Sequence, residues 1–114
     1  MEIADILASI NVTQAQVDEW KEKEAKNNGD VHLLTVRAKG SDENHYCIVK
    51  TPGRIAMKRM SEFFDQPVKA SEVLLDECWL AGDPSIKTDE RLFYAASEQV
   101  SKLKEKGEAE IAKL

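Results

Sequence analysis

The chain has 114 residues, 42% of them apolar and 32% charged, with a formal net charge of −5. That length fits one domain with one core, and the apolar share excludes a chain disordered throughout. The acidic balance, with a sequence pI near 5.1, weighs against a general nucleic-acid binder, which needs a basic face to neutralise phosphates.

Residues 2–10 place Ile3, Ile6, Leu7 and Ile10 at helical spacing. Residues 1–12 therefore read either as a docking helix or as a loosely held N-terminal arm. Thr13 and Gln16 form a capping-box pattern that starts a stronger helix, with Val12 and Val17 placed as a hydrophobic staple. This helix offers Val17 and Trp20, then turns polar and stops at Asn28-Gly29.

VHLLTVRA (31–38) and HYCIVK (45–50), joined by a polar loop containing Gly40, predict an antiparallel hairpin. Alternation puts Val31, Leu33 and Thr35 on one face and His32, Leu34 and Val36 on the other. Neither face is cleanly polar, so the hairpin must be covered by helices or pair with strands of another chain. Thr51 and Pro52 predict the cap and first residue of a helix lined by Ala56, Met60, Phe63 and Phe64, with Met57 at its border. A further helix runs over 68–80 and ends at Ala81-Gly82-Asp83-Pro84. The last begins near Thr88 and carries Leu92, Phe93, Ala96, Val100 and Leu103, with residues 107–114 as a fraying tail.

The expected fold class is thus α+β and mainly helical. It comprises an N-terminal helix, one antiparallel β-hairpin and three C-terminal helices in a single domain over 1–114. No apolar run approaches the ~20 residues of a bilayer span, and Glu2 and Asp5 stand where a signal peptide is positive. The expectation is a cytoplasmic protein, with Cys47 and Cys78 as buried reduced thiols.

His32, His45 and Cys47 are the only cluster resembling metal ligands, and no CxxC or HxxxH spacing completes them for zinc. A Cys–His nucleophilic pair lacks a third group to orient the histidine. We therefore expect no catalytic residue, no metal and no cofactor. The stretch 49–64 mixes basic and apolar side chains. Met57, Phe64 and Trp20 are the candidate apolar contacts of a protein partner, ringed by Arg54, Lys58 and Arg59, whose stems cover apolar surface while their heads stay hydrated.

Three features, the junction from Tyr46 to Pro52, the helix ending in Cys78-Trp79, and Asp89 to Phe93 leading into the last helix, resemble small tail assembly chaperones of phages and prophages, including related prophage proteins of gut bacteria. The resemblance spans residues 13–114 and implies a mainly helical, non-enzymatic protein of the bacterial host cytoplasm. Its implied partner is the tape measure protein, whose hydrophobic helices it would cover, with self-association as a further property. A small prophage structural or adaptor protein is the alternative, and a nucleic-acid-binding regulator using Lys50, Arg54, Lys58 and Arg59 comes last.

Overall fold

A computed structural model describes residues 2–27, 29–103 and 112–113. Two short helices, α1 (Ile3–Ser9) and α2 (Gln14–Ala25), precede strands β1 (Val31–Val36) and β2 (His45–Lys50). Then follow α3 (Arg54–Ser61), α4 (Pro67–Cys78), β3 (Trp79–Gly82), α5 (Ser85–Thr88) and α6 (Glu90–Lys102). The fold is α+β, with helix predominating among the described residues. Most of the tail expected to fray lies outside them.

Local chemistry sets the helix starts. Thr13 Oγ1 accepts from Gln16 N at 3.2 Å while Gln16 Oε1 accepts from Thr13 N at 2.9 Å, which closes the expected capping box. Val12 and Val17 are buried together beside it. Asn11 turns the corner from α1 with φ of 58°, a left-handed conformation that asparagine tolerates better than most residues. Asp89 caps α6, its Oδ1 accepting from Arg91 N and Leu92 N at 2.9 and 3.3 Å. Those backbone donors, Leu92 N–H foremost, hold the Asp89 carboxyl below its ordinary range.

The expected Thr51 cap is a misreading. Thr51 N donates to Asp30 O at 3.0 Å, and its hydroxyl accepts from Asp30 N at 3.1 Å. The hairpin ladder runs one residue further than expected and takes the threonine, so α3 starts at Arg54 after Gly53, without a side-chain cap. Pro67 does not merely break the preceding helix; it is the first residue of α4, where its missing N–H costs nothing.

The sheet has three strands in the order β1-β2-β3, all antiparallel. The third was not expected. Residues 79–82 read as the end of a helix, but Trp79 turns to ψ of 125° and the chain lies along β2, with Ile48 opposite Ala81 and Cys47 opposite Gly82. This pairing occupies backbone groups on the second edge of β2 that burial would otherwise orphan. Gly82 is required there: a Cβ would stand 2.5 Å from Cys47 Cβ, and its φ of 154° suits no other residue.

Strand alternation sends Leu34, Val36, Cys47 and Val49 to one face, where they meet Ala56, Leu74, Leu75, Cys78, Ile86, Leu92, Ala96 and Val100. Val31, Leu33, Ile48 and Leu80 face the other way, towards Leu7, Val12, Val17 and Trp20. Helices α3 to α6 thus cover one side and α1 and α2 the other. Leu7 is 5% exposed, so the N-terminal segment docks as a helix.

Candidate protein-binding surface

The apolar side chains left in solvent concentrate on the α3–α6 side. Phe64 is 87% exposed, Ile55 67%, Tyr94 51% and Val68 49%. Phe64 and Val68 lie four residues apart across the Pro67 turn. Lys69 Nζ sits 5.9 Å from the centroid of the Phe63 ring, a neighbour better covered than Phe64 itself.

Between α4 and α6 runs a cavity of about 350 Å³. Val68, Leu75, Phe93 and Tyr94 supply its apolar lining, and Glu72, Asp76 and Glu90 its acidic margin. Positions 68, 72, 75 and 76 share one face of α4 by helical periodicity. Lys87 from α5 stands at the margin, with Nζ 3.2 Å from Asp76 Oδ1 and 4.5 Å from the centroid of the Trp79 ring. The groove combines an apolar strip with a charged, mainly acidic wall, a form suited to an amphipathic helix flanked by bases.

The residues expected from sequence do not form one surface. Trp20 is half-buried on the α1–α2 side against the cluster of Leu7, Val12, Val17 and Ile48, whereas Met57 packs on the opposite core. The sheet lies between them, so the expected apolar surface shared by Trp20 and Met57 does not form. Arg54 and Lys58 are exposed on α3 one turn apart, as expected. Arg59 is pinned to Glu77 of α4 by an ion pair between its guanidinium and Glu77 Oε1, so it ties two helices together. Sequence reasoning missed Val68, Glu72 and Tyr94. Their signal was present in α4 as the 68/72/75/76 spacing, but a groove exists only once α6 lies beside it.

The histidines are held apart at opposite ends of the hairpin. His32 stands opposite Val49, with Nε2 3.0 Å from Thr51 Oγ1, and His45 opposite Val36. His45 Nδ1 donates to Asp83 Oδ2 at 2.6 Å, since an ionised carboxylate can only accept. Asp83 Oδ1 accepts from Ser85 N at 2.9 Å, so this carboxylate joins the start of β2 to the start of α5. The His45 bond, and then the Ser85 N–H, hold the Asp83 carboxyl below its ordinary range. Among the described residues no group of three or more metal-ligating side chains converges.

Cys47 and Cys78 are fully buried and unbonded to each other. Burial pushes the Cys47 thiol up to about 12, against a smaller lowering by Lys87, and the Cys78 thiol up to about 11. At neutral pH both stay protonated, and a thiol rather than a thiolate is a poor nucleophile. No described helix is long and apolar enough to cross a membrane.

The sequence matches no known protein family and no curated protein, and the fold matches no solved structure.

Proposed function

We propose that this protein is a non-enzymatic, protein-binding module that covers apolar helices, as small phage tail assembly chaperones cover the tape measure protein. The observation that carries the reading is the α4/α6 groove, where Val68 and Tyr94 remain about half exposed beside Leu75 and Phe93. An apolar helix laid there would bury both. Lysines or arginines flanking it would meet Glu90 and compete with Lys69 and Lys87 for Glu72 and Asp76. Phe64, four residues before Val68, would extend the contact surface onto the turn between α3 and α4. This role places the protein in the cytoplasm of a bacterial host, with protein partners rather than nucleic acid or membrane, and no cofactor.

The test is co-expression with a phage tape measure protein, comparing wild type with a Val68→Glu/Tyr94→Glu variant. Both positions are half exposed, so the variant should keep its fold. Soluble complex should form with the wild type and fall at least about tenfold with the variant, as for a central interface contact. Undiminished capture by the folded variant would remove the groove from the reading. Failure of the wild type to capture the tape measure protein would remove the chaperone role itself.

A further inference from the structure

The two edges of the sheet are built differently. β3 is four residues long and shifts register against β2 between Ile48 and Val49, so it makes a short, irregular edge. β1 is six residues long and regular, and VHLLTV contains no proline, lysine or other permanently charged residue. Natural sheets blunt exposed edges with such devices. β1 has none.

Hydrogen-bond alternation identifies which of its backbone groups face outward. Thr51 N donates to Asp30 O, making Asp30 and Thr51 a hydrogen-bonded pair. In an antiparallel ladder such pairs recur at every second residue, hence at His32–Val49, Leu34–Cys47 and Val36–His45. The other β2 residues turn to β3, consistent with Asp83 N donating to Tyr46 O at 3.0 Å. The N–H and C=O groups of Val31, Leu33 and Thr35 therefore point away from the sheet. Among the described residues, no backbone hydrogen bond outside the sheet uses them. Around these groups Val31, Leu33 and Leu34 are only half buried, although helices cover both faces of the sheet.

We propose that β1 pairs antiparallel with β1 of a second copy, joining two three-stranded sheets into one of six strands. The strand is complementary to itself. Asp30 precedes it and Arg37 and Lys39 follow it, so antiparallel pairing sets the acidic end of one copy beside the basic end of the other. Parallel pairing would set like charges together. The register that uses all three outward residues puts Leu33 opposite the partner's Leu33 and Val31 opposite the partner's Thr35. This is a two-fold, self-complementary contact. It involves other atoms than the α4/α6 groove and stands or falls independently of it.

Sedimentation velocity from about 1 µM to about 1 mM, read with amide hydrogen exchange, tests the pairing. A concentration-dependent dimer is expected. Its formation should slow exchange at Val31, Leu33 and Thr35, while His32, Leu34 and Val36 are protected at every concentration. Thr35→Pro removes one outward N–H at an exposed position and no bond to β2. It should raise the dimer dissociation constant at least about tenfold and leave the thermal midpoint near that of the wild type. Should that variant fail to fold, crosslinking decides: Leu33→Cys should form an intermolecular disulfide and Thr35→Cys should not, since only position 33 meets itself. A monomer across the whole range would overturn the proposal. So would a dimer whose three amides exchange freely, or protection that appears only when an unrelated extended peptide is added.

Discussion

On one face of the sheet, Leu74, Leu75, Cys78, Ile86, Leu92, Ala96 and Val100 close around Cys47 and Val49, each at 3% exposure or less. On the other, Leu7, Val12 and Val17 gather around Ile48 at 5–8%, beside a half-exposed Trp20. The difference lies in the helices. α4 and α6 each present a continuous apolar face, whereas α2, QAQVDEWKEKEA, offers little beyond Val17 and Trp20 and relies on its capping box to start. A layer held by few buried contacts opens at lower free energy than one held by many. The α3–α6 side is therefore the harder of the two to open, and the α1–α2 side is a lighter cover.

The largest expected effect tests that contrast directly. Leu75→Ala removes a side chain that is 1% exposed in the larger core and should cost about 3 kcal/mol in urea unfolding. Val17→Ala under the lighter cover should cost about 1 kcal/mol, nearer the average for substitutions. Equal losses at the two sites would show that the α1–α2 cover is packed at least as tightly as the larger core.

A smaller effect sharpens the description of how the heavier layer is tied to the sheet. The Asp83 carboxylate accepts from His45 and from Ser85 N, and its folded-state pKa lies below the unfolded value. The stabilisation is therefore fully present above the unfolded carboxyl range near pH 4 and disappears as pH falls through the lower folded value. Asp83→Asn should flatten this acid arm of the stability curve and cost about 1 kcal/mol at pH 7, less than a fully buried charged hydrogen bond, because the side chain is 30% exposed and water screens it. Parallel acid curves for wild type and variant would mean that the carboxylate contributes nothing.

Much of this arrangement was legible because it is local. The capping box at Thr13, the alternating faces of the hairpin and the apolar stripe of α6 each need only a few neighbouring residues. β3 was hidden because Trp79–Gly82 is too short to show alternation and continues an apolar helical pattern; only its pairing with β2 makes it a strand. The separation of Trp20 from Met57 was hidden for a related reason. Periodicity tells which face of a helix is apolar, but not which side of the sheet that helix will cover. The α4/α6 groove belongs to the same class, since Val68 and Tyr94 meet across elements distant in sequence.

The smallest expected effect on stability concerns the residue that most sharply separates surface from cover. Phe64 is 87% exposed in the turn between α3 and α4, so Phe64→Ser removes almost no buried area. Its cost should stay within about 0.5 kcal/mol, as for surface substitutions. In a domain of this size that is a shift of only about 2–4 °C in thermal midpoint. Trp20→Ser differs although it was expected to act on the same surface. It strips a half-buried ring from the cluster of Leu7, Val12, Val17 and Ile48, and should shift the midpoint more than Phe64→Ser while leaving partner capture at the groove intact. Phe64→Ser should do the reverse, lowering capture with the fold preserved. A midpoint drop for Phe64→Ser matching that of Trp20→Ser would return the phenylalanine to the core and deprive the α3 end of the binding surface of its main apolar contact.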